Sequence, residues 1–168
     1  MKKIIVLGVS HDLQFNWNFI DQTANAQRDL NTKYFFDLVK VIIEKNQIEA
    51  LGEEAGRGFQ IYKALSQHGC NQTYFQEISS REKLLHFWFD LPPSEFNKTI
   101  GTISNEVIEN WFVKIINMEM IKYDRVLVLM GAQHMSNVVE RLKKDFIIEA
   151  TDVTELDWYK DPEVAVWN

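Results

Sequence analysis

Two histidines in this chain follow a glycine at the same spacing, and each motif comes directly after an apolar run. The first motif is Gly-Val-Ser-His ending at His11, and the second is Gly-Ala-Gln-His ending at His134. A glycine lets the backbone turn off a strand and lets other groups approach closely, so each histidine is expected just beyond a strand end. Because a neutral imidazole is both a general base and a common metal ligand, the pair is suited to activating water.

The carboxylates that would complete such a site follow a third apolar run. In the segment IEALGEE, Glu53 and Glu54 stand at the expected end of a strand. Adjacent residues of a strand face opposite sides of a sheet, so only one of the two is expected to join the histidines, and the sequence leaves open which one. The catalytic candidates are His11, Glu53, Glu54 and His134; the metal-ligand candidates are His11, Glu53 and His134.

Two kinds of chemistry fit these side chains. Two imidazoles and a carboxylate suit a divalent metal with open coordination positions, here Mn, Co or Zn, which activates bound water. The same groups suit a metal-free site in which one histidine is the general base and a carboxylate orients it. Arg28 and Arg57 are the candidates for binding an anionic group of the substrate or for stabilising developing charge.

Strands and helices are expected to alternate along the chain. Apolar runs predict strands over 3–8, 48–53, 73–78, 124–131 and 146–150. After a loop at 12–30, helical patterns are expected over 31–46, 58–67, 81–89, 104–121 and 135–144. The apolar face of the 104–121 helix is expected to comprise 107, 108, 111, 115 and 118. His86, in the 81–89 helix, is expected to pack structurally.

This alternation is typical of an α/β protein with three layers, in which helices flank a mainly parallel central sheet. Residues 1–168 are expected to form a single domain, since the length fits one hydrophobic core. In parallel sheets, ligands bind beyond the carboxyl ends of the strands. If the relevant strands are neighbours, both histidines and at least one glutamate meet in one crevice.

Composition narrows the class of protein. Of the 168 residues, 46% are hydrophobic and 25% charged, as in ordinary globular proteins, and the net charge is −6. Because the negative charge repels phosphates, nucleic acid and anionic membranes are not expected partners; a small-molecule or peptide substrate is. The short apolar run near the start is not a secretory signal, so a cytoplasmic location is expected. The oligomeric state cannot be read from the sequence.

The quoted motifs resemble those of the TraB/Tiki group and, more distantly, those of the erythromycin esterase-like and ChaN-like proteins. The segment VLMGAQHMSNVVERLKK resembles the second motif of the family, VLGVSHD the first, and IEALGEEAG the acidic segment. The chain also resembles small uncharacterised bacterial proteins with the same ending. The resemblance implies a role for His11, for Glu53 or Glu54, and for His134. Known members include metal-dependent proteases, lactone-opening esterases and haem-binding proteins.

The leading hypothesis is therefore a cytoplasmic hydrolase that activates water with the two histidines and a glutamate, with or without a divalent metal. Its substrate belongs to the peptide, ester or lactone class. The alternative is a non-catalytic binding protein for a small ligand, a metal or haem, in which the same histidines are ligands. A third hypothesis is a regulatory protein that retains only the fold.

Overall fold

The computed structural model describes residues 1–10, 25–54, 84–89 and 105–156, with the backbone alone for 25–33 and Trp88. The strands in these ranges are β1 (Lys3–Val9), β2 (Ala50–Glu53), β3 (Leu85–Trp88), β4 (Arg125–Gly131) and β5 (Ile147–Asp152). The helices are α1 (Asn25–Asn46), α2 (Asn105–Met120) and α3 (Ala132–Leu142), and a 3-10 turn spans Val153–Glu155.

The five described strands form one sheet in the order β3-β2-β4-β1-β5, and every pairing is parallel. β1 and β4 lie at its centre, and their apolar runs are buried along almost their whole length. A strand of a parallel sheet is covered on both faces, which explains why these runs show no polar alternation. The mainly parallel central sheet expected from the sequence is confirmed.

Helices cover both faces of the sheet. Along β1, Ile5 and Leu7 pack with α1, whereas Ile4 and Val6 pack on the opposite face with α2 and α3. Each of these side chains is almost completely buried, and such burial contributes about 1.5–3 kcal/mol per side chain. The α/β architecture with helices on either side of the sheet is therefore confirmed.

The expected helix over 81–89 is wrong for its described part, because Leu85–Trp88 is strand β3. β3 pairs with β2, placing Phe87 opposite Gly52. A Cβ atom at Gly52 would lie 2.5 Å from two ring atoms of Phe87, so the missing side chain makes room for the aromatic ring. Aromatic residues favour strands, and this contact with β2 overrides the helical spacing. Residues 81–83 lie outside the described residues.

Other boundaries differ from those expected. α1 begins at Asn25 and not at 31. Its first turns, NAQRDL, are mainly polar and carry no apolar stripe, so the sequence pattern did not predict them as helix. α3 begins at Ala132 and not at 135, directly after β4. The expected helix over 58–67 and strand over 73–78 lie outside the described residues. No helix in the described part of the chain combines the length and apolar character needed to cross a membrane.

The buried face of α2 also differs from the expected one. The structure buries Glu109, Phe112, Ile116 and Met120, while Met118, expected on that face, is 49% exposed. Apolar residues occur on several sides of this helix, so spacing alone does not define its orientation. The observed orientation of α2 buries a carboxylate, Glu109, against α3.

Candidate functional site

The connections that leave β1 and β4, two neighbouring strands inside the sheet, run in opposite directions across it. From β1 the chain passes through α1 and moves toward the β3 end of the sheet, whereas from β4 it passes through α3 and moves toward the β5 end. Parallel crossovers are right-handed, so the two connections cover opposite faces of the sheet, with α1 on one face and α3 on the other. Ligands of open parallel sheets bind at such a switch point, beyond the carboxyl ends of the strands.

Both Gly-x-x-His motifs flank this switch point. β1 and β4 run in register with Val9 opposite Gly131, so the two motifs leave the sheet side by side. A Cβ atom at Gly8 would lie 3.1 Å from the Cα atom of Ala132 and 3.0 Å from the sulfur of Met135. The glycine of the first motif therefore allows the start of α3, which carries the second motif, to lie against β1.

His134 lies in the first turn of α3 and is 2% exposed. Its Nδ1 is 3.4 Å from Oε1 of Glu109, and its Nε2 is 3.7 Å from Oε1 of Glu54. The side-chain nitrogen of Gln133 lies 3.1 Å from Nε2, and the ring of Phe112 meets the imidazole edge-on with centroids 5.7 Å apart. The imidazole is thus held from several directions, with a carboxylate near each nitrogen.

Glu54 directly follows β2 and extends its pairing with β4, since its backbone N–H donates to the carbonyl of Leu129 at 2.9 Å. Its Oε2 accepts a short hydrogen bond, 2.5 Å, from the backbone N–H of Gly131. Gly131 is the N-cap of α3, which has no side-chain cap. The buried carboxylate therefore lies at the positive end of a helix, where negative charge is stabilised.

Glu53 faces the opposite side of the sheet from Glu54. In β2, Leu51 packs with the α1 layer, and Glu53, two residues later, shares that face. Its Oε2 lies 3.1 Å from Nε2 of His86 on the neighbouring strand β3. The structure thus brings Glu54, and not Glu53, to His134. His86, expected to be a packing residue, pairs with a fully buried carboxylate.

Glu109 and His86 were both missed by the sequence analysis. Glu109 lies three, seven and eleven residues before the buried Phe112, Ile116 and Met120, so a charged residue on an apolar helical stripe was the available signal. Because the sequence analysis expected a different face of α2 to be buried, Glu109 was not expected to lie inside the protein. No comparable signal marked His86, because its contact with Glu53 depends on the pairing of β3 with β2.

Three of the expected site residues cannot be placed. His11 and Arg57 lie outside the described residues, as does the side chain of Arg28, whose backbone belongs to α1. The chain leaves β1 after Val9, opposite Gly131, which brings the backbone to the same edge of the sheet as His134. Of the four catalytic candidates, the described structure brings together Glu54 and His134.

The same geometry tests the fit of a metal. Within residues 1–10, 25–54, 84–89 and 105–156, no group of three or more His, Cys, Asp or Glu side chains is arranged to hold a metal ion. Glu109 and Glu54 lie at different ring nitrogens of His134 and do not converge. His134 Nε2 and Glu54 Oε1, 3.7 Å apart, come close to the roughly 3.4 Å between two ligand atoms of a tetrahedral zinc ion. The spacing of these two atoms is therefore compatible with two of the ligands of a metal ion.

Comparisons of the chain with protein-family models, with curated proteins and with solved structures gave no match. The resemblance to the TraB/Tiki, erythromycin esterase-like and ChaN-like proteins therefore stays a prediction, based on the two Gly-x-x-His motifs and the acidic segment.

Proposed function

We propose that the chain is a hydrolase that activates water at the carboxyl edge of β2, β4 and β1. The observation that carries the proposal is the approach of Glu54 to Nε2 of His134, 3.7 Å from Oε1, beside the switch point. Both side chains are more than nine-tenths buried and come from different strand ends. Burial of two such groups at the edge where ligands bind favours a functional role over a solvated surface pair.

In the proposed reaction, Nε2 of His134 accepts a proton from the attacking water, and Glu54 holds that water or stabilises the resulting positive charge. His11, which follows β1, is proposed to complete the site from the neighbouring strand. Where a divalent metal (Mn, Co or Zn) takes part, His134, Glu54 and His11 would hold it, and the metal would lower the pKa of its bound water. The proposed substrate class is a peptide, an ester or a lactone.

The first experiment measures metal content and hydrolysis on the same preparations. Protein purified without chelator is analysed for metal, then tested on peptide, ester and lactone panels with and without added Mn²⁺, Co²⁺ and Zn²⁺. We expect hydrolysis by the wild type and its loss in His134→Asn and in His11→Asn, with the melting temperature recorded to confirm folding. Stoichiometric metal in the wild type that is lost in the His11→Ala/His134→Ala double mutant selects the metal-dependent form of the site.

His86→Asn is the matched control, because His86 also pairs with a buried glutamate but on the α1 face of the sheet. We expect it to retain hydrolysis. Unchanged turnover in both His11→Asn and His134→Asn would contradict the proposal.

A ligand-binding protein without catalysis is the second candidate, and one observation favours it. Phe87, Phe89 and Phe112 form a chain of ring contacts, with centroids 5.6 and 5.2 Å apart, that ends on His134. These rings pack in the core beside His134, so an apolar ligand held by the imidazole would lie next to apolar side chains. Titration with haem tests the haem version: a Soret shift that disappears in His134→Asn supports it, and the absence of a shift removes it.

A further inference from the structure

We propose that Glu109 is a positioning residue, which fixes His134 in the tautomer that carries its proton on Nδ1. In this tautomer the lone pair is on Nε2, which accepts from the Gln133 amide in this structure and would accept a proton or a metal once that amide is displaced. The consequence for hydrolysis rests on the proposed function, whereas the tautomer itself does not. Glu109 was not among the residues expected from the sequence, and the two Gly-x-x-His motifs do not include it.

The first support is the set of contacts around the Glu109 carboxylate. Its Oε1 accepts a hydrogen bond from the side-chain amide of Asn137 at 3.0 Å, and Nδ1 of His134 lies 3.4 Å from the same oxygen. Its Oε2 accepts from Arg141 at 3.4 Å. The three partners are spaced three and four residues apart on α3, so one face of that helix surrounds one carboxylate.

The second support comes from the other ring nitrogen. The side-chain NH₂ group of Gln133 lies 3.1 Å from Nε2 of His134. In this orientation the Gln133 amide donates to Nε2, which agrees with a ring proton on Nδ1. Glu109 at Nδ1 and Gln133 at Nε2 are therefore compatible with the same tautomer. In metal sites, too, a ligating histidine commonly donates its second ring N–H to a carboxylate.

The third support is the distribution of charge. Glu109 has its own cation in Arg141, whose other terminal nitrogen donates to Asn110 at 2.6 Å and so anchors the guanidinium to α2. Glu54 is stabilised separately by the N–H of Gly131 at the start of α3. Neither carboxylate therefore depends on a charged imidazole for compensation, and Glu109 acts toward His134 as a hydrogen-bond acceptor.

Nitrogen-15 NMR of the histidine rings tests the tautomer directly. Spectra are recorded over a rising pH series until the ring resonances stop changing, and the resonances of His134 are identified by their loss in His134→Asn. We expect a protonated Nδ1 and an unprotonated Nε2 in the wild type. A wild-type spectrum with the proton on Nε2 would overturn the proposal.

Variants of Glu109 then separate positioning from packing. Glu109→Leu removes the acceptor, and we expect a mixture of tautomers together with a 10- to 100-fold lower kcat or metal affinity, the usual effect of losing such a partner. Glu109→Gln keeps a carbonyl oxygen and should restore most of the Nδ1–H population. Glu119→Gln, on the same helix but paired with the exposed Lys122, is the control and should change neither measurement.

The outcomes separate this proposal from the proposed function. The predicted tautomer with no hydrolysis of any substrate would leave Glu109 as the positioning residue of a binding site and count against the hydrolase. Hydrolysis that requires His134, with a tautomer unchanged in Glu109→Leu, would support the hydrolase and reject the role of Glu109.

Discussion

Two glutamate–histidine pairs lie at the end of β2, on opposite faces of the sheet. Glu54 approaches His134 on the side of α2 and α3, and Glu53 pairs with His86 on the side of α1. The pairs use the last residue of β2 and the residue that follows it, and both glutamates are buried, while the side chains of His134 and His86 are 3% and 10% exposed. They differ in position, because only His134, in the first turn of α3 directly after β4, lies at the switch point.

This pairing allows a matched test at the residue scale. In Glu54→Gln the amide oxygen still accepts from Gly131, so the start of α3 should be preserved while the negative charge near His134 is lost. We expect hydrolysis to fall by about 10²–10⁴-fold, the usual range for a group that takes part in proton transfer. The measurement is kcat/KM on the best substrate of the panel.

Glu53→Gln is the control, one residue away and equally buried, and it should retain kcat/KM. Equal losses in both variants would mean that the measured effect comes from disturbing the end of β2, and not from the charge beside His134.

The positions of His134 and of the two glutamates near strand ends could be predicted from the sequence, because they depend only on strand ends and alternation. Which glutamate approaches His134 could not, since it depends on which face α3 covers. Glu109 depends further on the rotation of α2 about its axis, which is set by packing against Phe89 and α3 and not by the spacing of its own apolar residues.

At the scale of elements, the short strand β3 shows how pairing decides between local patterns. Its sequence, LHFW, continues a segment with helical spacing, but its backbone bonds to β2 and its Phe87 ring fills the space beside Gly52. Four residues give little periodicity, so the neighbouring strand determines the conformation. By contrast, β1 and β4 could be predicted because each is a long, continuous apolar run.

The contact between β2 and β3 predicts the effect of a single methyl group. In Gly52→Ala the new Cβ would lie 2.5 Å from the Phe87 ring, so the ring or β3 must move. We expect a loss of about 1–3 kcal/mol in the free energy of unfolding, the usual cost of overpacking a core, measured by urea titration.

Shortening the opposing side chain provides the control for that prediction. Phe87→Ala opens space at the same position, so Gly52→Ala should cost much less in the Phe87→Ala background than in the wild type. Equal costs in both backgrounds would show that the methyl group acts through the backbone of β2 and not through the aromatic ring.

At the scale of the whole molecule, the alternation of apolar runs and helices made a parallel sheet predictable, but not its strand order. β4 inserts between β1 and β2, a long-range choice that leaves no local pattern in the sequence. That insertion is what brings the ends of β2, β4 and β1 together, and with them Glu54, His134 and Gly8 of the first Gly-x-x-His motif.

The strand order predicts how protection against hydrogen exchange varies across the sheet. β1 and β4 have hydrogen-bonded neighbours on both sides and are buried, whereas β5 bonds to β1 alone among the described strands and has no fully buried residue. Central strands open only in global unfolding, so β1 and β4 amides should exchange slowest and β5 amides measurably faster. Mass-spectrometric hydrogen exchange checks this, and protection in β5 equal to that in β1 would contradict it.

The insertion of β4 also has a consequence during protein synthesis. β1 is translated first, but both strands that bond to it, β4 and β5, begin only at Arg125 and Ile147. Until the ribosome has passed these residues, the apolar segment IIVL in β1 has an unpaired edge in the nascent chain, the kind of edge that promotes aggregation. Among the described strands, β1 is thus the earliest to be made and one of the last to pair.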